Sequence, residues 1–169
     1  HYDPKAETTQ LFFKMVQNMM HWAVTHQTAA EIIYSRADAE MPHMGLTTWK
    51  NAPDGRVQRS DTIVAKNYLS DKEVTALDRL STSFLVLAES LASQQIPFTM
   101  ADWKKKLDDF LTMYGYEKLN NAGAISTEQA KEKAYAEYDK FRIIQDREYL
   151  SDFDKEIRKW KEKGLFDKD

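Results

Sequence analysis

The chain has 169 residues, of which 42% are apolar and 30% charged, a balance typical of one soluble globular domain with a core of its own. It has no cysteine, which excludes disulfides, thiolate metal ligands and cysteine nucleophiles and fits a cytoplasmic location. A formal net charge of −3 argues against a surface that coats nucleic acid, and no apolar run approaches the roughly 18 residues that span a membrane.

Helical periodicity begins near the amino-terminal end. Apolar side chains recur every three or four residues, at Leu11, Met15, Met19 and Trp22. This spacing predicts an amphipathic helix over about residues 6–26, with His21 on its polar stripe. Thr28 and Glu31 then form the capping-box pattern T-x-x-E, so a second helix is expected to begin at that point.

An irregular segment of about 20 residues follows, with the sequence AEMPHMGLTTWKNAPDGRVQRSD. Pro42, Gly45, Pro53 and Gly55 interrupt its periodicity. Loops of this length in compact domains tend to be functional or mobile. We expect helical structure to resume at Asp61.

The second half repeats the helical pattern. Capping-box patterns or N-cap residues stand at Ser70, Thr99 and Ser126. The sequence therefore predicts an all-α fold: a single compact helical domain over residues 1–169, with about six or seven helices and a helical tail over residues 142–169. That tail keeps an apolar seam, which needs the body of the domain or a second chain as its partner, so a homo-oligomer through the tail is one expectation.

Five titratable side chains of residues 21–50 are candidate catalytic groups: His21, Glu31, Arg36, Asp38 and His43. His21 and His26 are five residues apart and do not share a helix face, and no H-E-x-x-H motif occurs, so no metal site and no cofactor are expected. His21 on a polar stripe is more typical of a solvated or hydrogen-bonded histidine than of a general base, and Glu31 already serves as a capping acid.

Arg36 leans toward the apolar side of its helix and therefore needs an anionic partner. The candidates are Asp108 or Asp109 of a later helix, or an anionic ligand. A structural ion pair is the favoured interpretation.

Further motif or binding candidates lie in and around the irregular segment: Thr28, Pro42, Gly45, Trp49, Lys50 and Arg59. Trp49 has the chemistry to stack on a base, but a single loop tryptophan more often anchors its loop to the core. The sequence has no nucleophile elbow and no phosphate-binding glycine loop.

Several long segments in order resemble one known family. They are YDP, FFKMVQNMMHWA, TAAEIIYSRADAEMPHMGLTTWK, VAKNYL, TMADWKKKLDDFL, NAGAIS and YDKFRIIQDREYLSDFDK, and together they resemble the RhuM family of bacterial virulence-associated proteins. The resemblance implies a carboxy-terminal helical half that normally follows a DNA-binding-like half, which is absent from this chain. It implies a cytoplasmic bacterial accessory protein and carries no established reaction.

Two interpretations of the function stay open. The first is a helical effector or interaction module that oligomerises or binds a partner for a nucleic-acid-associated full-length protein. The second is a toxin-like enzyme that acts on nucleic acid or nucleotide through the motif of residues 21–50.

Overall fold

A computed structural model describes residues 7–148 and 152–163 of the chain. Over these residues the predicted all-α class is confirmed, and they contain no β-strand. The α-helices of the described ranges are α1 (Glu7–Thr25), α2 (Ala29–Arg36), α3 (Asp71–Ser93), α4 (Met100–Met113), α5 (Thr127–Glu148) and α6 (Asp152–Glu162). Short 3₁₀ helices at Pro42–Gly45, Arg59–Ile63 and Ala65–Tyr68 connect α2 to α3.

The predicted six or seven helices differ from the structure in detail, because one of them, near Asp61, is not an α-helix. Residues 7–148 contain five α-helices, because the segment near Asp61 forms two 3₁₀ helices where the sequence predicts an α-helix. Its β-branched residues Thr62, Ile63 and Val64 lose side-chain freedom in an α-helix. Val64 has an extended backbone, with φ −105° and ψ 106°, and separates the two turns.

The helix starts are set by local sequence, as predicted. Thr28 and Glu31 form a complete capping box at α2, and Ser70 and Glu73 form another at α3. In each box the hydroxyl accepts a backbone N–H while the glutamate accepts the backbone N–H of the cap residue. Thr99 caps α4 in the same way, and Ser126 exchanges two such bonds with Gln129 at α5.

The core forms where α2 packs against α5 and where α1 packs against α3 and α4. Ile32, Leu107 and Leu111 are completely buried in it. A T-shaped pair of Phe84 and Phe110, with ring centroids 5.4 Å apart, joins α3 to α4. The 3₁₀ helices lie against α2 and α5, so the irregular segment is folded onto this core.

The helical tail predicted for residues 142–169 consists, where it is described, of the end of α5 and the whole of α6. Residues 149–151 and 164–169 lie outside the described residues, as does the YDP motif at residues 2–4. None of the other described elements packs extensively against α6. Among the described helices, none has the length and apolar character needed to cross a membrane.

Candidate functional site

The loop of residues 37–46 turns through consecutive residues in the left-handed region. His43, Met44 and Gly45 have φ values of 51°, 50° and 88°. The Met44 side chain is completely buried, so the strained turn inserts an apolar anchor into the core. Gly45 passes so close to the backbone of Arg36 that a Cβ atom there would collide with the Arg36 carbonyl oxygen. Glycine at this position is therefore required by both φ and space.

Arg36 is held in a bidentate ion pair with Glu73. Its two terminal nitrogens donate to the two Glu73 oxygens at 2.7 and 2.8 Å, and one of them also donates to the Tyr68 carbonyl at 3.0 Å. The Arg36 guanidinium lowers the pKa of Glu73 to about 2. The expected structural ion pair is confirmed, but Asp108 and Asp109 are wrong as partners, because α3 rather than α4 presents its acid to the end of α2.

Glu137 of α5 is a buried acid that was not among the candidate residues predicted from the sequence. Its carboxylate accepts a hydrogen bond from the backbone N–H of Ala39 at 2.9 Å. It also accepts hydrogen bonds from the ammonium groups of Lys133 and Lys140, at 2.9 and 3.0 Å. The hydrogen bond from Ala39 and the two lysines lower the pKa of Glu137 to about 2. The available signal was an acid on the apolar stripe of α5, three residues after Ala134.

Trp49 anchors the second part of the irregular segment, as predicted. Its ring is buried, and its Nε1–H donates to the Gly55 carbonyl at 2.8 Å. Buried Asp61 accepts the backbone N–H groups of Lys50 and Gln58 at 3.1 and 2.7 Å. These bonds satisfy the backbone of a loop that has no regular hydrogen-bond ladder.

His21 is buried and hydrogen-bonded, so of its two expected states, solvated or hydrogen-bonded, the second is the one that the structure has. Only 3% of the residue is exposed. Its Nδ1–H donates to the Gln17 carbonyl at 2.7 Å, which leaves Nε2 buried without a hydrogen-bond partner among the described residues. Burial lowers the pKa of His21, and the charge of Lys66 lowers it further, so the ring is neutral at pH 7.

Glu31 joins α2 to the loop before α5. Its two carboxylate oxygens accept the backbone N–H groups of Thr28 and Ala124 at 2.8 and 2.7 Å. Burial raises the pKa of Glu31, but these hydrogen bonds outweigh it, and the pKa lies below the usual value. The carboxylate is therefore ionised and engaged at neutral pH.

His43 stands at the edge of an open cleft. Its ring lies 4.4 Å from the Trp49 ring, centroid to centroid. The cleft has a volume of about 540 Å³ between the 39–43 segment, the 53–56 turn and the end of α5. Its charged lining residues are Glu40, Asp54, Arg56 and Glu148. Arg56 pairs with Asp146, so carboxylates dominate the charge of the cleft.

The candidate catalytic residues have separate surroundings. Asp38 is exposed and accepts the backbone N–H of Glu40 at 2.9 Å, which makes it a turn residue. Within residues 7–148 and 152–163, no hydrogen bond or ion pair joins any two of His21, Glu31, Arg36, Asp38 and His43, and no group of three or more acids or histidines is placed to hold a metal.

The binding candidates also lie in separate surroundings. Thr28 is buried in its capping box, and Pro42 lines the cleft beside His43. The Lys50 side chain is exposed. Arg59 is also exposed, and its guanidinium lies 3.8 Å above the centre of the Tyr135 ring, which ties the Arg59–Ile63 turn to α5.

The chain was compared with protein-family models, curated proteins and solved structures. Neither the curated proteins nor the solved structures contain a match. The family model described as the virulence protein RhuM family matches residues 1–150. That range includes the capped start of α2, the ion-paired Arg36 and the left-handed turn at Gly45. The chain therefore belongs to the virulence protein RhuM family.

Proposed function

We propose that this chain is a helical interaction module that self-associates through α6. The observation that carries the proposal is an apolar seam on α6 in which Phe153 and Trp160 are exposed and Ile157 is half-buried. Phe153 is 70% exposed and Trp160 is 41% exposed. Ile157 stands between them at spacings of four and three residues, which puts all three on one helix face. Burial of such a seam against a second helix is favourable because it removes apolar surface from water.

The proposed occupant of this seam is a second copy of α6, and the charges of the helix support that choice. Its first half has three acids, Asp152, Asp154 and Glu156, and one base, Lys155, whereas its second half has three bases, Arg158, Lys159 and Lys161, and one acid, Glu162. Two copies that pack antiparallel about a two-fold axis place each acidic half beside a basic half. A parallel pair would place like charges together.

In this proposal the module serves a longer, nucleic-acid-associated protein, as the family resemblance implies. Self-association of the helical part would hold two nucleic-acid-binding regions together, and two linked sites bind more tightly than either one alone. The chain itself supplies the dimer contact in this arrangement.

Light scattering after size exclusion tests the proposal. The full chain is expected at twice its 19.7 kDa mass, and Phe153→Ser is expected to yield the monomer. Met113→Ser is the matched control, because Met113 is 74% exposed but lies on α4, and this variant should stay dimeric. A monomeric full chain, or a Phe153→Ser variant that stays dimeric, would contradict the proposal.

The second candidate function is a toxin-like enzyme acting on nucleic acid or nucleotide, and the cleft beside His43 favours it. An exposed imidazole next to a cavity of about 540 Å³ has the access that a general base needs. The carboxylates of Glu40, Asp54 and Glu148 oppose it, because they repel phosphate groups. Hydrolysis of RNA or nucleoside triphosphates by the full chain, abolished by His43→Gln, would support this function. Equal rates in both proteins would exclude a role for His43.

A further inference from the structure

We propose that a cavity between α1, α2 and the start of α5 binds a small amphiphilic anion: a ligand with an apolar body and a carboxylate or phosphate head. The cavity has a volume of about 610 Å³. Sites for small molecules in proteins have volumes of roughly 300–1,000 Å³. The site is independent of the α6 seam, since no residue of α6 lines it.

The interior of this cavity is lined by alanine, isoleucine and valine side chains. Ile33, Ala65 and Ala130 are buried at its base. Ile63 and Val64, which are 38% and 45% exposed, form part of its wall. Apolar side chains that are open to solvent within a concave surface are typical of a site that an apolar ligand body fills.

Segment TAAE shapes one side of the cavity. Ala29 and Ala30 line it from the first turn of α2, and their small side chains leave the space open. Thr28 lines it as well, but its hydroxyl is engaged by the Glu31 backbone N–H. The T-x-x-E residues therefore fix the start of α2, and the two alanines between them define the cavity.

The charge of the lining residues decides what kind of ligand head fits. Lys14 and Lys131 both line the cavity, and no aspartate or glutamate does. Neither lysine forms an ion pair with another described residue, and the Lys131 Nζ atom lies 5.8 Å from the centre of the Tyr135 ring. Neighbouring Glu31 has both carboxylate oxygens on backbone N–H groups. In a chain with more acids than bases, a cavity that presents lysines alone favours an anion.

Hydrogen-bonding groups complete the polar part of the lining. Gln17 and Asn18 line it from α1 with amide side chains, and Thr127 lines it at the start of α5, as does Ser126, whose hydroxyl oxygen also accepts the Gln129 backbone N–H. A few polar groups around an apolar interior are the usual composition of a ligand site, because they orient the polar end of the ligand.

A neighbouring cavity extends the same character along α1. It has a volume of about 420 Å³ and shares Lys14, Asn18 and Ala122 with the first one. It adds Lys104 of α4, and again no acid lines it. The two cavities are therefore neighbours on α1, and lysines line both of them.

Titration calorimetry on the full chain tests the proposal with four ligands: decanoate, decyl phosphate, decanol and acetate. Each ligand is used below the concentration at which it forms micelles. We expect saturable binding of one or both decyl anions, at least tenfold tighter than decanol, which has the apolar body without the charge. Acetate, which has the charge without the body, should give no saturable heat. The tighter of the two anions identifies the head group.

Three variants locate the site. The double variant Lys14→Gln and Lys131→Gln should weaken anion binding at least tenfold and leave decanol unchanged. Ala122→Phe should block anions and decanol alike, and because Ala122 is exposed we expect this replacement to leave the core unchanged. Lys72→Gln, an exposed lysine of α3 outside both cavities, should bind like the parent chain.

No saturable binding of either anion, equal affinity for decanol and the anions, or undiminished binding in the double variant would overturn the proposal. Phe153→Ser should bind the anions like the parent chain. Loss of self-association therefore leaves this readout intact, and the two proposals fail separately.

Discussion

Gly45 allows the sharpest prediction for a single residue. Gly45→Ala adds a Cβ atom against the Arg36 carbonyl oxygen and also forces a φ of 88° on an L side chain. The clash is with a backbone atom and the φ value is a backbone angle, so a side-chain rotation relieves neither. We expect the free energy of unfolding to fall by about 3 kcal/mol or more, as strained core positions do. Urea unfolding followed by circular dichroism measures this loss.

Gly115→Ala separates the two causes. Gly115 has a similar φ of 78°, but a Cβ atom there would meet nothing within 4 Å. Only the conformational cost applies, and we expect a loss of about 1 kcal/mol. Equal losses in the two variants would show that the close approach to Arg36 contributes nothing to stability.

Between elements, the ion pair of Glu73 in α3 with Arg36 in α2 makes the free energy of unfolding depend on pH. The pKa of Glu73 in the folded chain is about 2, against a usual value of 4.5. A lowered folded pKa means that the contribution is complete above pH 4.5 and is lost as the pH falls toward 2. Glu73→Gln keeps the size of the side chain and removes its charge. It should lower the free energy of unfolding at pH 7 by on the order of 2 kcal/mol.

The difference between parent and Glu73→Gln should shrink as the pH falls from 4.5 to 2, because the parent carboxylate then becomes neutral too. Urea unfolding at pH 7, 4 and 3 follows the difference. Glu89→Gln is the control, since Glu89 is an exposed acid on the same helix. A difference between parent and Glu73→Gln that stays constant over this range would contradict the assigned role of the ion pair.

The sequence predicts helix starts better than it predicts contacts between helices, and Arg36 shows why. Thr28 and Glu31 are three residues apart, so their capping box follows from local geometry alone. Glu73 stands 37 residues after Arg36. Its approach depends on how the intervening 3₁₀ helices set the position of α3, which no residue pattern reveals. The same limit applies to His21, which is buried near Lys66, a residue far along the chain.

Charge distribution over the whole molecule separates the two concave regions. The cleft beside His43 presents three carboxylates, Glu40, Asp54 and Glu148. The cavity at α2 presents Lys14 and Lys131 with no acid. A net charge of −3 describes neither region, because the average over the chain conceals their opposite signs. The family and the fold class could be recognised from residue patterns, whereas these two surfaces exist only once the loops are folded onto the helices.

At the scale of the assembly, an antiparallel α6 pair predicts which positions meet. A two-fold axis through the middle of α6 places Ile157 beside Ile157 of the second copy. The chain has no cysteine, so one introduced cysteine reports on one position. Ile157→Cys should form a disulfide-linked dimer under mild oxidation, because a disulfide needs Cα atoms within about 7 Å. Glu162→Cys should not, since two such positions lie roughly 15 Å apart along antiparallel helices. Non-reducing electrophoresis distinguishes the outcomes, and an Ile157→Cys chain that forms no disulfide-linked dimer would contradict the antiparallel pair.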